Sequence, residues 1–263
     1  MKFVDTHCHV HDTEFYPDNR EEVYSESVAA GVSMLCVGTD IKSSREAIEF
    51  ARAHEGAAAV IGIHPHDTKD NDVSEISFLL TQYAEDIIGV GEIGLDYFYT
   101  HSPRSVQQAS LREQLDLAVL HNLPVSFHVR DTGDVDDSGA VWRDFWPIFD
   151  DYPEIRGVLH SFTDNEINLQ QALKRGLYIG INGISTFTKD EAQRKLYKEL
   201  PLENILLETD APFLTPAPFR GTMNKPAYVE RVAAHQAVLK STSIDEIARV
   251  TTANAKRLFG ENL

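Results

Sequence analysis

The feature that most constrains the fold is a regular alternation of short apolar stretches, rich in β-branched residues, with longer amphipathic stretches. Near-continuous apolar strands separated by helices are typical of a parallel sheet covered by helices. Eight such units in 263 residues predict an α/β fold, a TIM-type (β/α) barrel that forms one domain over residues 1–263. The candidate strands lie at residues 3–7, 34–38, 59–63, 87–93, 124–129, 157–162, 178–182 and 204–210.

Helical patterns fill the segments between these strands. The clearest cover residues 45–56, 106–122 and 166–176, and the first and last of them end at a glycine suited to a helix C-cap. After residue 226 only helices are expected, with a Ser243/Glu246 capping box and a terminal helix over 252–259. The polar segment 130–142 is predicted to be an irregular loop after the fifth strand.

Composition excludes several classes of protein. The formal net charge of −17 argues against a broad basic surface that coats duplex nucleic acid, because such binding needs clustered Lys and Arg. It does not exclude a nuclease, since bound divalent cations reverse the potential locally. The absence of a signal peptide or long apolar run, and only two cysteines, predict a cytoplasmic protein without a membrane span, and no obligate protein partner is indicated.

The first strand carries an H-x-H pattern. Side chains at i and i+2 of a strand share one face, so His7 and His9 can converge on one ion while Cys8 points away. The alternative is a half-exposed strand with ordinary polar alternation. His11 falls beyond the strand, where alternation no longer fixes its direction, and is interpreted as a loop residue.

Similar side chains close four later strands, and they decide between those alternatives. The C-terminal ends of barrel strands gather at one face, which is where active sites of this fold lie. Together with His7 and His9 they give four histidines and two carboxylates, too many for one tetrahedral zinc with an open position and suited to a two-metal centre. Glu92 is the natural bridge. These strand-end residues are Glu92, His128, His160 and Asp210.

The run GVGEIG at 89–94 formally matches the G-x-G-x-x-G fingerprint of dinucleotide-binding folds. Its context does not fit, because LDYFYTHSP follows where that fingerprint needs a helix, and Glu92 would face the phosphates. The glycines are better explained by close backbone packing around Glu92.

Three further residues stay open at this stage. His64 precedes a proline-containing turn and is predicted to contact substrate rather than a metal. For His66 a substrate contact and an ordinary loop histidine are equally expected. Glu208 lies two residues before Asp210 on the same face. It either supports a ligand or the attacking water, or is a buried structural carboxylate.

Taken together, the motifs resemble the TatD family of metal-dependent deoxyribonucleases. The resemblance implies an amidohydrolase-like barrel that uses divalent metals to cleave phosphodiester bonds. By position, it implies that His7, His9, Glu92 and Asp210 are metal ligands with Asp210 also the base, that His128 and His160 hold a second metal, and that His64 and Arg130 contact substrate. The motifs, in family order, are FVDTHCHVH, IGIHPHD, IGVGEIGLDY, PVSFHVRD, GVLHSFTD, LLETDAPFL and TTANAKRLFG.

The chain departs from the family pattern in three places, one of which, Ser161 and Asp164 where the family often has Cys and Gly, flanks His160 without removing it. Where the family commonly has R-N-E-P, this chain has Met223-Asn224-Lys225-Pro226, so substrate contacts there are expected to differ. The loop at 131–140 is longer than usual and carries four acidic residues, which would screen long nucleic-acid substrates.

The predicted function is a metal-dependent hydrolase, a deoxyribonuclease or phosphodiesterase acting on DNA or a nucleotide-type substrate through a water activated by two metals. Glu92 and Asp210 are its predicted catalytic residues. An amide or ester hydrolase is the alternative, because the same water attacks a carbonyl and the fold does not select the bond. A metal-binding regulatory protein without turnover is disfavoured by the complete ligand set. The two ions are Zn, Mn, Mg or Ni, which such a site does not distinguish at this level.

Overall fold

Eight parallel strands follow one another in chain order in the computed structural model, which describes residues 2–99 and 101–261. The ring is nearly closed, because the N–H of His9 donates to the carbonyl of Ala211 and the N–H of Asp210 to that of His7, both at 2.8 Å. The predicted TIM-type barrel is therefore confirmed. The strands are β1 (Phe3–Cys8), β2 (Val32–Val37), β3 (Ala57–Ile61), β4 (Ile87–Asp96), β5 (Val125–Arg130), β6 (Gly157–Leu159), β7 (Tyr178–Ile181) and β8 (Ile205–Leu207).

Helices separate the strands and cover the outside of the barrel. The predicted helical stretches overlap α2, α4, α6 and α9, whereas the sequence patterns do not single out α1, α3, α5 and α7. No helix in the described ranges is both long and apolar enough to cross a membrane. The helices are α1 (Arg20–Ala29), α2 (Ile41–Ala53), α3 (Val73–Gln82), α4 (Arg104–Leu120), α5 (Ala140–Asp150), α6 (Glu166–Lys174), α7 (Glu191–Glu199), α8 (Val229–Leu239) and α9 (Ile244–Phe259).

Several predicted boundaries need correction. Helix α2 ends before Gly56, because His54 leaves the helical conformation and its ring nitrogen Nδ1 lies 2.8 Å from the carbonyl of Phe50. The predicted capping box is half formed: Ser243 accepts from the N–H of Glu246, but the Glu246 carboxylate binds Arg249 instead of reaching back. The loop predicted over 130–142 is shorter, since β5 includes residue 130 and α5 begins at residue 140.

The core explains why the strands are apolar along their whole length. Every residue of β1 and β2 is buried, as expected for a parallel sheet with both faces covered. Between β5 and α5, the rings of Phe127 and Phe145 pack edge to face with their centroids 5.3 Å apart. Cys8 and Cys36 are free and buried, where a thiol packs as a small apolar side chain.

The glycines of β4 allow this strand to lie close to β5. A Cβ atom on Gly91 would stand 2.8 Å from the Cβ of Ser126, and one on Gly94 would overlap the carbonyl oxygen of His128. Strand β4 continues to Asp96, and the next helix in the described part of the chain begins at Arg104. The structure therefore agrees with close packing as the reason for these glycines, and the dinucleotide fingerprint lacks its helix.

Replacing Gly94 by alanine is expected to lower the free energy of unfolding by about 3 kcal/mol or more, at the upper end of the cost of overpacking. Its φ of +150° already disfavours a side chain, and the added methyl group has no room. Gly176→Ala is the matched control, since Gly176 has a φ of +75° but nothing within 4 Å of an added Cβ. That change should cost only about 1 kcal/mol. Denaturant unfolding measures the free energy of unfolding of both variants. Equal losses would show that the close contact with β5 does not set the cost at Gly94.

Candidate metal centre

His7 and His9 point into the barrel from β1 and the residue beyond it. The Nδ1 atom of His9 lies 2.8 Å from the carbonyl oxygen of Val37 and must donate to it, so Nε2 faces the cavity, 3.4 Å from Asp210. The Nε2 atom of His7 is buried without a hydrogen-bond partner, 3.3 Å from Glu92. Cys8 turns the other way, toward the carbonyl of Leu35. The shared face predicted from the H-x-H pattern is confirmed.

Glu92 occupies the centre of the cluster. Its carboxylate is 4% exposed and is surrounded by imidazoles that come from four different strands or the loops after them. Burial by itself would raise the pKa of Glu92, but the neighbouring imidazoles hold it well below its usual range. Its nearest imidazole nitrogens are those of His128 at 2.9 Å, His7 at 3.3 Å, His160 at 3.6 Å and His64 at 3.7 Å.

The position of Glu92 corrects the expectation that it closes its strand. Strand β4 runs four residues further, to Asp96. Between Val90 and Ile93 the pairing with β5 shifts register, with three residue steps in β4 against two in β5. An extra residue of this kind is a β-bulge, which re-aims a side chain next to a site. The bulge, rather than the strand end, directs Glu92 at the histidines.

Asp210 approaches the cluster from the segment after β8. Its φ is +57°, an uncommon value for a residue other than glycine. Its Oδ1 atom lies 3.4 Å from His9, 3.8 Å from His160 and 3.9 Å from His7. Burial would raise the pKa of Asp210, but the hydrogen bond from His9 and the nearby imidazoles lower it. A carboxylate held ionised beside the cavity can serve as a ligand or accept a proton.

His128 and His160 each contact a second carboxylate behind the cluster. The Nε2 atom of His128 is 2.9 Å from Asp96, and the Nδ1 atom of His160 is 3.1 Å from Glu208. Although burial would lower both pKa values, these carboxylates and Glu92 raise the pKa of His128 to about 9 and that of His160 to about 10. Carboxylates in this position orient imidazole ligands and increase their basicity. Glu208 therefore takes the supporting position that was one of its two interpretations.

Asp96 is the residue that the sequence interpretation missed. One of its oxygens contacts His66 and His128, at 3.0 and 2.9 Å, and the other accepts from the N–H groups of Phe98 and Tyr99. Burial would raise the pKa of Asp96, but the hydrogen bonds from the two histidines lower it far below its usual range. An aspartate three residues beyond the strand predicted at 87–93 was the available signal. The earlier assignment of the strand end to Glu92 hid it.

His64 lies closer to the cluster than a substrate contact alone requires. It is 8% exposed, and its Nε2 atom is 3.7 Å from Glu92. Burial and the neighbouring His128 keep its pKa well below the usual value, so the ring is neutral and able to bind either a metal or a substrate. His66 instead contacts Asp96, and His11 is buried beside Ser43 at 3.1 Å.

The donor atoms fit divalent cations. The candidate ligand atoms of each group lie within 4.8 Å of one another, and Glu92 belongs to two groups. Imidazole nitrogens and carboxylate oxygens are ligand atoms that Zn, Mn and Ni accept. The Nε2 atom of His7, which is buried and has no hydrogen-bond partner, is a candidate ligand atom of this kind. The groups are His7, His160 and Asp210; His7, His9 and Glu92; and His64, Glu92 and His128.

A cavity of about 640 Å³ opens above these groups and contains Glu92, Asp210 and Arg130 in its wall. Arg130 is exposed at the end of β5, with its guanidinium 4.4 Å from the ring centre of Phe98 and 4.9 Å from that of Tyr99. It is the one Lys or Arg among the described residues that line this cavity.

The departures at Met223 and Lys225 lie outside that wall. The ammonium group of Lys225 pairs with Glu26 of α1, and Met223 is 49% exposed. Asn224 between them is fully buried and donates to the carbonyl oxygens of Thr209 and Phe213. The middle residue of this segment therefore fixes the loop after β8, and its neighbours bring no cation into the cavity.

Comparisons with known proteins agree with this architecture. Residues 4–260 match the family model described as TatD related DNase. The metal-dependent hydrolase YabD of Bacillus subtilis is 35% identical over 98% of this chain and 99% of its own length. The 3'-5' ssDNA/RNA exonuclease TatD of Salmonella typhimurium is 32% identical over 93% of this chain and 94% of its own. The crystal structure of YJJV, a TatD homologue from Escherichia coli K12, covers 98% of both chains with a TM-score of 0.86 at 29% identity.

Proposed function

Because the chain belongs to the TatD-related DNase family of metal-dependent hydrolases, we propose that it cleaves phosphodiester bonds in DNA or in a smaller nucleotide-type substrate. The observation that carries the proposal is the single buried carboxylate of Glu92 among four imidazoles. One carboxylate shared in this way would suit a pair of cations, the arrangement used for phosphoryl transfer. The relative named as a 3'-5' ssDNA/RNA exonuclease supports the same chemistry.

The resemblance divides the residues between two cation positions. By that division His7, His9 and Asp210 with Glu92 would hold one divalent ion, and His128 and His160 with Glu92 would hold the other. The distances group His160 with His7 and Asp210 and group His64 with Glu92 and His128, so His160 lies within reach of the first position as well. When bound, the two ions supply Lewis-acid polarisation of the phosphate oxygens and lower the pKa of an attacking water. His64 lies near enough to Glu92 to complete the second position or to contact the substrate.

The chain's own groups then handle the proton and the leaving oxygen. Asp210 would orient the water and accept its proton, since its carboxylate is ionised and lines the cavity. Arg130, at the rim, would offset negative charge on the departing oxygen. Asp96 and Glu208 would keep the rings of His128 and His160 in place.

A substrate screen tests the proposal. Purified protein loaded with Mn or Zn is incubated with a labelled single-stranded oligonucleotide, its duplex, a generic phosphodiester, and N-acyl and ester compounds. We expect cleavage of the single strand and the generic phosphodiester, because the cavity offers cation positions and Arg130. The Asp210→Asn protein, prepared in parallel, reveals any contaminating nuclease. Turnover of only the N-acyl or ester compounds would favour the amide or ester hydrolase and overturn the proposal.

A further inference from the structure

Exposed aromatic side chains collect at the mouth of the cavity. Four large aromatic side chains are exposed among the described residues: Phe78 at 56%, Phe213 at 47%, Phe98 at 46% and Tyr99 at 41%. All but Phe78 lie around this mouth, where Phe213 and Tyr99 form part of the wall and Phe98 lies under Arg130. Apolar rings left in water beside a charged cavity mark a surface that a ligand covers.

These rings form two separate faces. The first, here the Phe213 face, consists of Phe213 and Phe15, with ring centres 5.1 Å apart in an edge-to-face contact beside His9. The second, the Tyr99 face, consists of Tyr99 and Phe98, 4.9 Å apart, with Arg130 over both.

The two faces stand on opposite sides of the barrel mouth. The Phe213 face is carried by the loops after β1 and β8, which adjoin at the closure, and the Tyr99 face by the segment after β4 and the end of β5. In a ring of eight strands in chain order, these positions are diametrically opposed. The cluster around Glu92 lies between them.

Both faces are held by the residues that build the cluster. Asp96, which contacts His128, also accepts from the N–H groups of Phe98 and Tyr99, both at 2.9 Å. The N–H of Phe213 donates to the carbonyl of Asp210 at 2.8 Å, and Asn224 donates to the carbonyl of Phe213. The backbone that carries these rings is therefore anchored to the cluster.

Resting on the proposed phosphodiesterase function, we infer that the mouth binds two successive unpaired bases, one on each aromatic face, with the phosphate between them above Glu92 and Asp210. Bases stack on aromatic side chains irrespective of sequence, each contributing about 1–3 kcal/mol. Placing neighbouring bases on opposite sides requires them to be splayed apart. A duplex must first break its pairing and stacking at a cost of roughly a few kcal/mol, so the mouth selects single strands.

The size and charge of the mouth agree with this selection. A cavity of about 640 Å³ has the volume of a small-ligand site, suited to one or two nucleotides. With a net charge of −17 and Arg130 as the permanent cation in the described wall, attraction for distant phosphates is weak. Stacking therefore supplies much of the binding free energy.

The test measures equilibrium binding without turnover. A labelled single strand with phosphorothioate linkages, which resist cleavage, is titrated with the metal-loaded protein, and fluorescence anisotropy gives Kd. The same strand with abasic sugars keeps the backbone and removes the bases. Phe213→Ala and Tyr99→Ala should each raise Kd for the normal strand roughly tenfold and leave Kd for the abasic strand unchanged.

Matched variants separate stacking from other effects. Phe78→Ala removes an equally exposed ring from α3 and should change neither Kd. Tyr99→Phe keeps the ring and should bind like the parent, which separates stacking from a hydrogen bond of the hydroxyl. Three results would each overturn the inference. The parent protein could bind the normal strand no more tightly than the abasic one, both alanine variants could keep the parental Kd, or the variants could weaken binding of both strands equally.

Failure of the base-stacking inference is distinguishable from failure of the proposed phosphodiesterase function. If both alanine variants weaken base-dependent binding but the metal-loaded parent does not cleave an ordinary phosphodiester strand, the proposed phosphodiesterase function is rejected and the two aromatic faces are retained. If the parent cleaves the strand but both variants keep the parental Kd, the phosphodiesterase function is retained and the binding role of the aromatic faces is rejected.

Discussion

The Asp210→Asn protein is expected to fold normally and to hydrolyse its substrate roughly a thousandfold more slowly, or worse, within the range set by loss of a general base. The side chain takes no part in the backbone hydrogen bonds of this residue. Its N–H donates to the carbonyl of His7, and its carbonyl accepts from the N–H of Phe213. Asparagine also tolerates its positive φ. The amide, however, neither accepts a proton nor carries a negative charge toward a cation.

Two measurements divide the roles of Asp210. If it acts mainly as base, kcat falls while the bound metal per protein stays at the parent value; if it is a ligand, the metal content falls as well. Thermal unfolding of both proteins checks the fold. Asp116→Asn, which alters an exposed carboxylate on α4, is the control for preparation and should retain parental activity. Parental turnover in Asp210→Asn would remove this residue from the mechanism.

Removal of divalent metal is expected to have the largest effect, a fall in hydrolysis of at least roughly ten-thousandfold, since Lewis-acid stabilisation of the transition state contributes several kcal/mol. The described cavity wall carries one permanent cation, Arg130, which cannot replace the charge of the divalent metal. Treatment with a chelator, followed by dialysis and assay, measures this loss. Addition of Zn, Mn, Mg or Ni in turn should restore activity and identify the effective ion.

The same treatment should also lower Tm, because an ion that binds only the folded chain stabilises it. Glu92→Gln provides the matched comparison: it leaves a side chain of the same shape at the centre of the cluster, and added metal should not restore its activity. A chelated protein that hydrolyses substrate at the parental rate would contradict any metal-dependent mechanism for this site.

The sequence reveals the barrel because each of its elements carries a local signature. Buried strands of a parallel sheet are apolar on both faces, and β1 and β2 show this over their full length. Helices α1, α3, α5 and α7 were less evident. Helix α1, for example, buries only Val23 and Ser27 of its ten residues, so its periodic apolar signal is faint.

The candidate site was predicted in part for a similar reason. His7 and His9 are two residues apart where β1 ends, so the alternation of an extended chain aligns them. Their association with His128, His160 and Asp210 followed from the barrel, which gathers strand ends at one face. The structure brings these residues and Glu92 together, and their roles as ligands and base remain the proposal tested above.

The sequence by itself determined the order and type of the elements, the H-x-H pair, and which polar side chains sit near strand ends, because these depend on periods of a few residues. The tertiary structure alone decided that a bulge aims Glu92 from within β4, that Asp96 supports His128, and that aromatic faces oppose one another across the mouth. Those features depend on the pairing of β4 with β5 and of β1 with the segment after β8. Contacts between residues so far apart in the chain leave no local pattern to read.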